Sequence, residues 1–432
     1  MRKLILLLTA IFFLHNSQAQ NENKSEKLKV FLDCNAWNCD ISFIKTELTW
    51  LDYVNDRFVS NVYVLITSLS TGGGGQKYQV IFSGQQEFAG LMSDTLSYFK
   101  SAIETSDEDR RKLLKILQLG FTRFVARTSQ WEKINISFEK NIEDPEKKNQ
   151  TTANKDKWNF WVFRIGASGS LNSSSNDKRK RISGNISANR TTEKNKTDFF
   201  ASSQYSESKF FDYDSLGNRL LREFFIQRNN DINTDYIFTV AKKISAGVFG
   251  GYSDGTYNNT KSSFYLKPAI EYSFFPYKDF NTKQLTLTYK IGINRNRYID
   301  STQYNKIKEY LWEQNLSLNW NLTQKWGNLF FGAIWTNYPN HINKSNFDIF
   351  GYTEVRIAKG LSVNFNINYS HLGIQPYISK NDVTILEQIY GQRALASSFR
   401  FGINLGLSYR FGSIFNNVVN PRLSGGNFFF FD

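Results

Sequence analysis

The sequence predicts an α+β small N-terminal domain followed by an antiparallel transmembrane β-barrel of about 12 strands. Three observations carry that expectation. A short apolar leader opens the chain, segments of alternating apolar and polar residues fill it from Trp158 onward, and aromatic residues reach 16% beside 21% charged residues. Strands that face lipid on one side and a polar lumen on the other give such a balance, with aromatic girdles at their ends.

The leader is read first. Arg2 and Lys3 form a basic start, Leu4 to Leu14 an apolar core too short to cross a bilayer, and Ser17-Gln18-Ala19 a small-x-small cleavage site. Residues 1–19 therefore read as a secretory signal peptide. No cysteine follows the apolar core directly, so a lipid anchor there is not expected, and the absence of another long apolar run excludes a helical membrane protein.

The formal net charge is +14, or +12 without Arg2 and Lys3 (14 minus 2). On an exported chain nucleic acid is a poor candidate partner for this charge. The charge suits lipopolysaccharide phosphates, anionic peptidoglycan stems or acidic solutes, with an ordinary solvated surface as the plainer reading. Cys34 and Cys39, in "CNAWNC", are the only cysteines. In an oxidising compartment they either close a small disulfide loop or stand as two free thiols, and no further ligands lie near for zinc.

Residues 28–128 read as the small domain. "KVFLDC" (Lys29 to Cys34) is a strand, and Asp40 caps a short helix through Phe43, Ile44 and Glu47. "LTWLDYV" (Leu48 to Val54) suits either the end of that helix or a separate strand. "VYVLITSL" and "KYQVIFSG" flank Gly72, Gly73, Gly74 and Gly75 as a hairpin, and "DTLSYFKSAIE" continues the sheet. Ser106 with Asp109 three residues on reads as a capping box opening a helix whose apolar face is Leu113, Leu114, Leu117, Phe121, Phe124 and Val125. A phosphate-cradling loop would need Lys-Ser/Thr and a helix after the glycines. Gln76 and Lys77 instead lead into the alternation of Tyr78, Val80 and Phe82. The glycines read as a hairpin tip open to a partner's backbone.

Two segments, "NVYVLITSLSTGGGGQKYQVIFSGQQ" and "DEDRRKLLKILQLGFTRFVA", give this domain a resemblance to the small periplasmic domains at the N-terminus of TolB and in curli-secretion and penicillin-binding-protein activator lipoproteins. That resemblance implies a docking module in the envelope. Residues 139–157, charged and broken by Pro145, read as a linker.

From Trp158 to Phe411 the chain alternates. "QLTLTYKIGIN" (Gln284 to Asn294), "LSLNWNL" (Leu316 to Leu322) and "LSVNFNINYS" (Leu361 to Ser370) each place apolar residues on one face and polar ones on the other. Strands are expected to begin near Trp158, Arg179, Thr197, Asn233, Ser245, Ser262, Gln284, Leu311, Asn328, Ser345, Leu361 and Ala396. Short turns such as Phe280 to Lys283 and Ile357 to Gly360 lie at one end. Long loops at Asp212 to Asp231, Asp300 to Glu309 and Ile378 to Ala394 lie at the other. Trp158, Trp161, Phe275, Tyr277, Trp326, Tyr409 and Phe411 fall at the short-turn, periplasmic end.

"NLGLSYRF" resembles the C-terminal signal read by the outer-membrane barrel assembly machinery, with Asn404 as its polar position, Gly406 as its glycine, and Tyr409 and Phe411 as its apolar pair. The chain runs past that motif in a tail, 412–432, expected to lie on the domain or the barrel floor, or to serve as a plug or partner peptide. The alternating strands with "YRFGSIFNNVVNP" resemble uncharacterised Gram-negative outer-membrane proteins of the same two-part layout, which implies location and no activity.

The predicted lumen carries Arg164, Lys267, Glu271, Lys290, Glu354, Arg356, Arg400 and Arg410. These charges form salt-bridged ladders or line a selective, anion-preferring pore. The mature chain holds only His341 and His371, with no acid beside either in sequence, so catalysis is not expected, and neither is a cofactor or metal. The expected function is an outer-membrane anchor that docks an unknown periplasmic protein through its N-terminal domain. A porin-like small-solute channel is the alternative, and an outer-membrane hydrolase ranks third. Expected partners are outer-membrane lipid, lipopolysaccharide and the assembly machinery.

Overall fold

The structure is a computed structural model describing residues 27–36, 39–71, 74–136, 158–280, 282–339, 345–381, 384–389, 391–413, 415, 417 and 419. The leader, the whole 139–157 linker and the end of the tail lie outside the described residues.

The N-terminal domain runs β1 (Leu28–Asn35), α1 (Ile41–Glu47), β2 (Leu51–Tyr53), β3 (Val62–Ser70), β4 (Gln76–Gly84), β5 (Asp94–Lys100) and α2 (Ser106–Val125). Asp40 starts α1 by accepting a hydrogen bond from the Phe43 amide at 2.9 Å, and the helix stops at Glu47. The ambiguous Leu48 to Val54 stretch thus becomes a separate strand, which buries Leu51 and Tyr53. The sheet order is β2-β1-β3-β4-β5. Strand β1 is parallel to both β2 and β3, and the rest is antiparallel.

Val30, Val64, Ile66, Val80 and Phe82 on one face of the sheet pack against Leu113, Leu117, Phe121 and Phe124 of α2. The Phe82 and Phe121 rings meet edge to face, 5.4 Å between centroids. The start of α2 differs by one residue from the expected capping box. Thr105 is the N-cap and exchanges hydrogen bonds with Glu108, not Ser106 with Asp109. The physical reason is the core: Asp109 is buried, accepts from the Tyr78 and Tyr98 hydroxyls at 3.2 and 3.0 Å, and pairs with Lys100 at 3.0 Å. A buried carboxylate needs such partners.

The second unit is a twelve-stranded antiparallel sheet: β6 (Trp161–Ser173), β7 (Asp177–Thr191), β8 (Asn195–Tyr213), β9 (Arg219–Ala241), β10 (Ile244–Gly255), β11 (Thr260–Ser273), β12 (Lys283–Tyr298), β13 (Lys308–Gln324), β14 (Gly327–Asn337), β15 (Ser345–Ala358), β16 (Leu361–Leu372) and β17 (Phe399–Tyr409). Each strand pairs with its sequence neighbours, and β6 and β17 end the hydrogen-bonded order, with no ladder between them among the described residues. The two-residue alternation becomes two faces. Leu285, Leu287 and Tyr289 stand opposite Trp320, Leu318 and Leu316, whereas Thr286 and Thr288 stand opposite Asn319 and Ser317.

One expected loop is strand. Asp212 to Asp231 holds the end of β8, a tight turn and the first half of β9, which therefore begins at Arg219 rather than near Asn233. Asn229, Asn230 and Asp231 are polar on both faces, so alternation fails there although the backbone ladder persists. The expected long loops at Asp300 to Glu309 and Ile378 to Ala394 are connections, the latter containing a short helix, α3 (Ile385–Ile389).

The connection from β16 to β17 folds inward across the end it leaves. Lys380 and Gln303 trade backbone bonds with Ser301 and Ile378 at 2.8 and 2.9 Å, and the Ala394 amide donates to Tyr257 at 3.0 Å. Arg393 pairs with Glu387 at 2.9 Å and Asp300 at 3.5 Å. These bonds tie the loop to the β10–β11 and β12–β13 connections, leaving a structured cap at that end.

The domain's tyrosines set its alkaline limit. Burial pushes the Tyr53, Tyr63, Tyr78 and Tyr98 hydroxyls well above the ordinary tyrosine range, with Asp33 adding to the shift at Tyr63 and Asp109 at Tyr78 and Tyr98. In the unfolded chain they ionise near pH ~10. Their contribution to stability is therefore complete below that pH and is lost as pH rises through it. The urea midpoint of the domain, followed by tryptic cleavage within α2, should be flat below pH about 9 and fall steadily above about 10. A flat profile across that window would contradict this assignment.

Candidate functional site

The short-turn end of the barrel meets the N-terminal domain, and the contact is built on one buried acid. Asp33, near the end of β1, is 4% exposed. Arg356, near the end of β15, engages it with both terminal nitrogens, Nη2 donating to Oδ1 at 2.7 Å and Nη1 donating to Oδ2. The Tyr63 hydroxyl also donates to Oδ2. Burial and the neighbouring carboxylate hold that hydroxyl protonated, which keeps it a donor.

Aromatic rings frame the pair. Phe31 and Tyr63 stack at 5.9 Å, the Arg356 guanidinium lies 5.6 Å from the Phe31 ring, and Lys325 lies 5.3 Å from the Tyr63 ring. Lys325 belongs to the β13–β14 turn. Its burial, with Arg57 nearby, lowers its pKa, and Arg57 donates to its backbone carbonyl. Lys359 of the β15–β16 turn pairs with Asp56 at 3.2 Å, and Asn328 donates to Asn35 at 2.7 Å.

The tail adds a second tie. Gly412 has φ +117°, a conformation that favours glycine, where the chain leaves the barrel. Val54 and Phe415 form an antiparallel bridge, and Asn55 donates to the Ser413 carbonyl at 3.2 Å. Asn417 accepts from the Tyr53 amide at 2.5 Å and donates to Asp52 at 3.0 Å. Phe415 and Asn417 thus lie along the β2 edge of the sheet. Between the two units lies a cavity of ≈ 380 Å³, lined from the domain by Asp33, Lys45 and Arg57 and from the barrel by Arg356, Ser408 and Arg410.

No protein-family model matches this chain, and no curated protein matches its sequence. Three solved structures show a partial likeness to this chain. The translocator domain of the autotransporter NalP from Neisseria meningitidis is 10% identical, covering 58% of this chain and 87% of its own at a TM-score of 0.24. The β domain of the Bordetella autotransporter BrkA is 9% identical, with 58% and 98% covered and a TM-score of 0.24. BamA from Haemophilus ducreyi lacking POTRA domains 1–3 is 8% identical, with 88% and 84% covered, again at 0.24.

The lumen charges named from sequence all fall on the polar face of the sheet, in three places. Lys267, Glu271 and Lys290 gather on β11 and β12: Lys267 pairs with Glu313 at 2.7 Å, Thr288 donates to Glu271 at 2.9 Å, and the Lys290 ammonium sits 3.7 Å from the Phe249 ring centre. Glu354, Arg356 and Arg410 line the junction cavity. Arg164 and Arg400 lie on the end strands, in register with Ser187 and Ser370.

Cys34 and Cys39 are joined as a disulfide beside Asp33. In the assembly motif, Asn404 opposes Asn366 and Gly406 opposes Asn364 on the polar face, while Tyr409 and Phe411 are exposed and stack at 5.5 Å. Gly72 and Gly73 lie outside the described residues. Gly74 has φ +76°, and a Cβ on Gly75 would lie 2.3 Å from the Lys100 carbonyl. The missing side chain at Gly75 serves a close approach inside the chain. His341 is outside the described residues, and His371 stands between Phe347 and Phe399 on the apolar face. Among the described residues no cluster of three or more His, Cys, Asp or Glu side chains has metal-holding geometry.

Nothing in the local sequence marks Asp56, Lys325 or Asn417 as junction residues. The one local signal is an acid inside the apolar strand "KVFLDC". Asp33→Ala should release the domain from the rim by about 3 kcal/mol, because Arg356 and Tyr63 lose their shared acceptor. A double-mutant cycle with Arg356→Met should return a coupling of about 1–3 kcal/mol, read by spin-label distances between domain and rim across a urea titration. Simple additivity would show that the pair does not hold the junction.

Proposed function

We propose that this chain is an outer-membrane barrel protein that anchors a periplasmic α/β domain and acts by docking, with no catalytic step. The observation that carries this reading is the junction. A domain locked to the short-turn rim by Asp33, Arg356 and the tail is held at a fixed height and orientation below the membrane. The apolar face of the barrel sheet, with Trp312, Trp320, Ile403 and Leu405 among its exposed side chains, fits a lipid environment. The resemblance to small envelope docking domains agrees with the same reading.

Phe415 and Asn417 lie along the β2 edge, whereas β5 pairs with β4 alone and exposes Phe99. That edge offers main-chain hydrogen bonds to an added strand from a periplasmic partner. Asn404, Gly406, Tyr409 and Phe411 would present the final strand to the assembly machinery during insertion, and basic residues at the loop end would meet lipopolysaccharide.

A small-solute channel is the second reading, favoured by the polar inner face and by Lys290 and Arg400 on it. The inward-folded β16–β17 connection and the Lys267–Glu313 pair favour a closed lumen. In planar bilayers the full chain should therefore be electrically silent. A stable, anion-preferring conductance altered by Lys290→Glu would replace anchoring with transport as the main account.

A further inference from the structure

We propose that the junction cavity binds the phosphate of an anionic lipid headgroup through Lys45, Arg57 and Arg410. The proposal deepens the membrane reading above and rests on it for the source of the ligand. The charge count around the cavity motivates it. Asp33 is taken by Arg356 and Asp56 by Lys359. What remains is Lys45, Arg57 and Arg410 against one acid, Glu354, which accepts from the Tyr352 hydroxyl at 3.3 Å. Arg57 donates to a backbone carbonyl, which leaves its charge uncompensated.

Two hydroxyls complete the donor set. Ser362 and Ser408 stand directly opposite each other in the β16–β17 ladder, and both line the cavity. Guanidinium forks and hydroxyls together match the tetrahedral oxygens of a phosphate. At ≈ 380 Å³ the space admits a phosphodiester with its glycerol. Burial lowers the pKa of Lys45, so its ammonium lacks compensation that a bound anion would supply.

Position favours lipid as the source of that phosphate. The cavity lies at the turn ends of β15, β16 and β17, where Leu361 lines it beside Glu354, Ser362 and Ser408 of the polar face. In the membrane reading this rim stands at the level of the periplasmic leaflet's headgroups.

The test uses the full chain in nonionic detergent, titrated calorimetrically with inorganic phosphate and then with short-chain phosphatidylglycerol or phosphatidylcholine. Lys45→Gln and Arg410→Gln are the variants, since neither residue belongs to the Asp33–Arg356 pair; an unchanged urea midpoint of the domain certifies their fold. The expected result is saturable phosphate binding, weakened about tenfold by each variant, with phosphatidylglycerol competing and phosphatidylcholine competing more weakly. Phosphate binding without lipid competition would overturn the lipid source and assign the site to soluble phosphate. No binding, or equal binding in the variants, would overturn the site itself. Phosphate titration in detergent needs no bilayer, so failure of the membrane reading would appear separately, as a chain that does not partition into vesicles.

Discussion

Asp33 is the acid on which the two halves of this protein depend. A carboxylate that is 4% exposed at the end of a strand must find charged or hydrogen-bonding partners, and among the described residues of its own domain the Tyr63 hydroxyl is the side chain that donates to it. The remaining compensation comes from Arg356, delivered by the barrel rim as a bidentate fork. Separating the units would leave Asp33 with too few donors and strip Arg356 of its counter-charge. The cost of burying the acid therefore becomes the specificity of the dock. The Phe31 and Tyr63 rings beneath Arg356 and Lys325 shape the same contact, and the tail ties the β2 edge from the other side.

The barrel sheet stands on a different constraint, the period of two. Each strand sends apolar residues to one face and polar residues to the other, and register between neighbours keeps the faces separate over twelve strands. The polar face is satisfied by local bonds such as Lys267 with Glu313 and Asn294 with Glu313 at 2.5 Å. Its ends are treated unequally. One end carries the docked domain, and the other is overlaid by the β16–β17 connection, whose Asn346–Ile374 bonds fix it to β15 and whose Gln303–Gln375 bond fixes it to the β12–β13 connection.

What the sequence made legible follows from the range of each interaction. Strand alternation is local, so most strands begin within a few residues of where the pattern places them. It failed where both faces are polar, at Asn229 to Asp231, because the ladder there is carried by backbone alone. The start of α2 falls one residue before the one the sequence points to, because Thr105 and Ser106 are both good caps and Glu108 and Asp109 are both acids. Only the tertiary demand of Tyr78, Tyr98 and Lys100 for Asp109 chooses between them. The junction was not legible, since Asp33 and Arg356 lie 323 residues apart and each reads alone as an ordinary charge. Of the tail, the described residues Ser413, Phe415 and Asn417 lie against the domain.

The claim most exposed to test is that the domain is fixed to the barrel rather than tethered. Val54 and Phe415 are register partners joining the domain's edge to the chain that leaves β17. Paired cysteines at these two positions, in protein extracted from membranes without reductant, should form an intramolecular disulfide in nearly every molecule, seen as a mobility shift that reductant reverses. Free thiols at both positions in folded protein would contradict the docked arrangement.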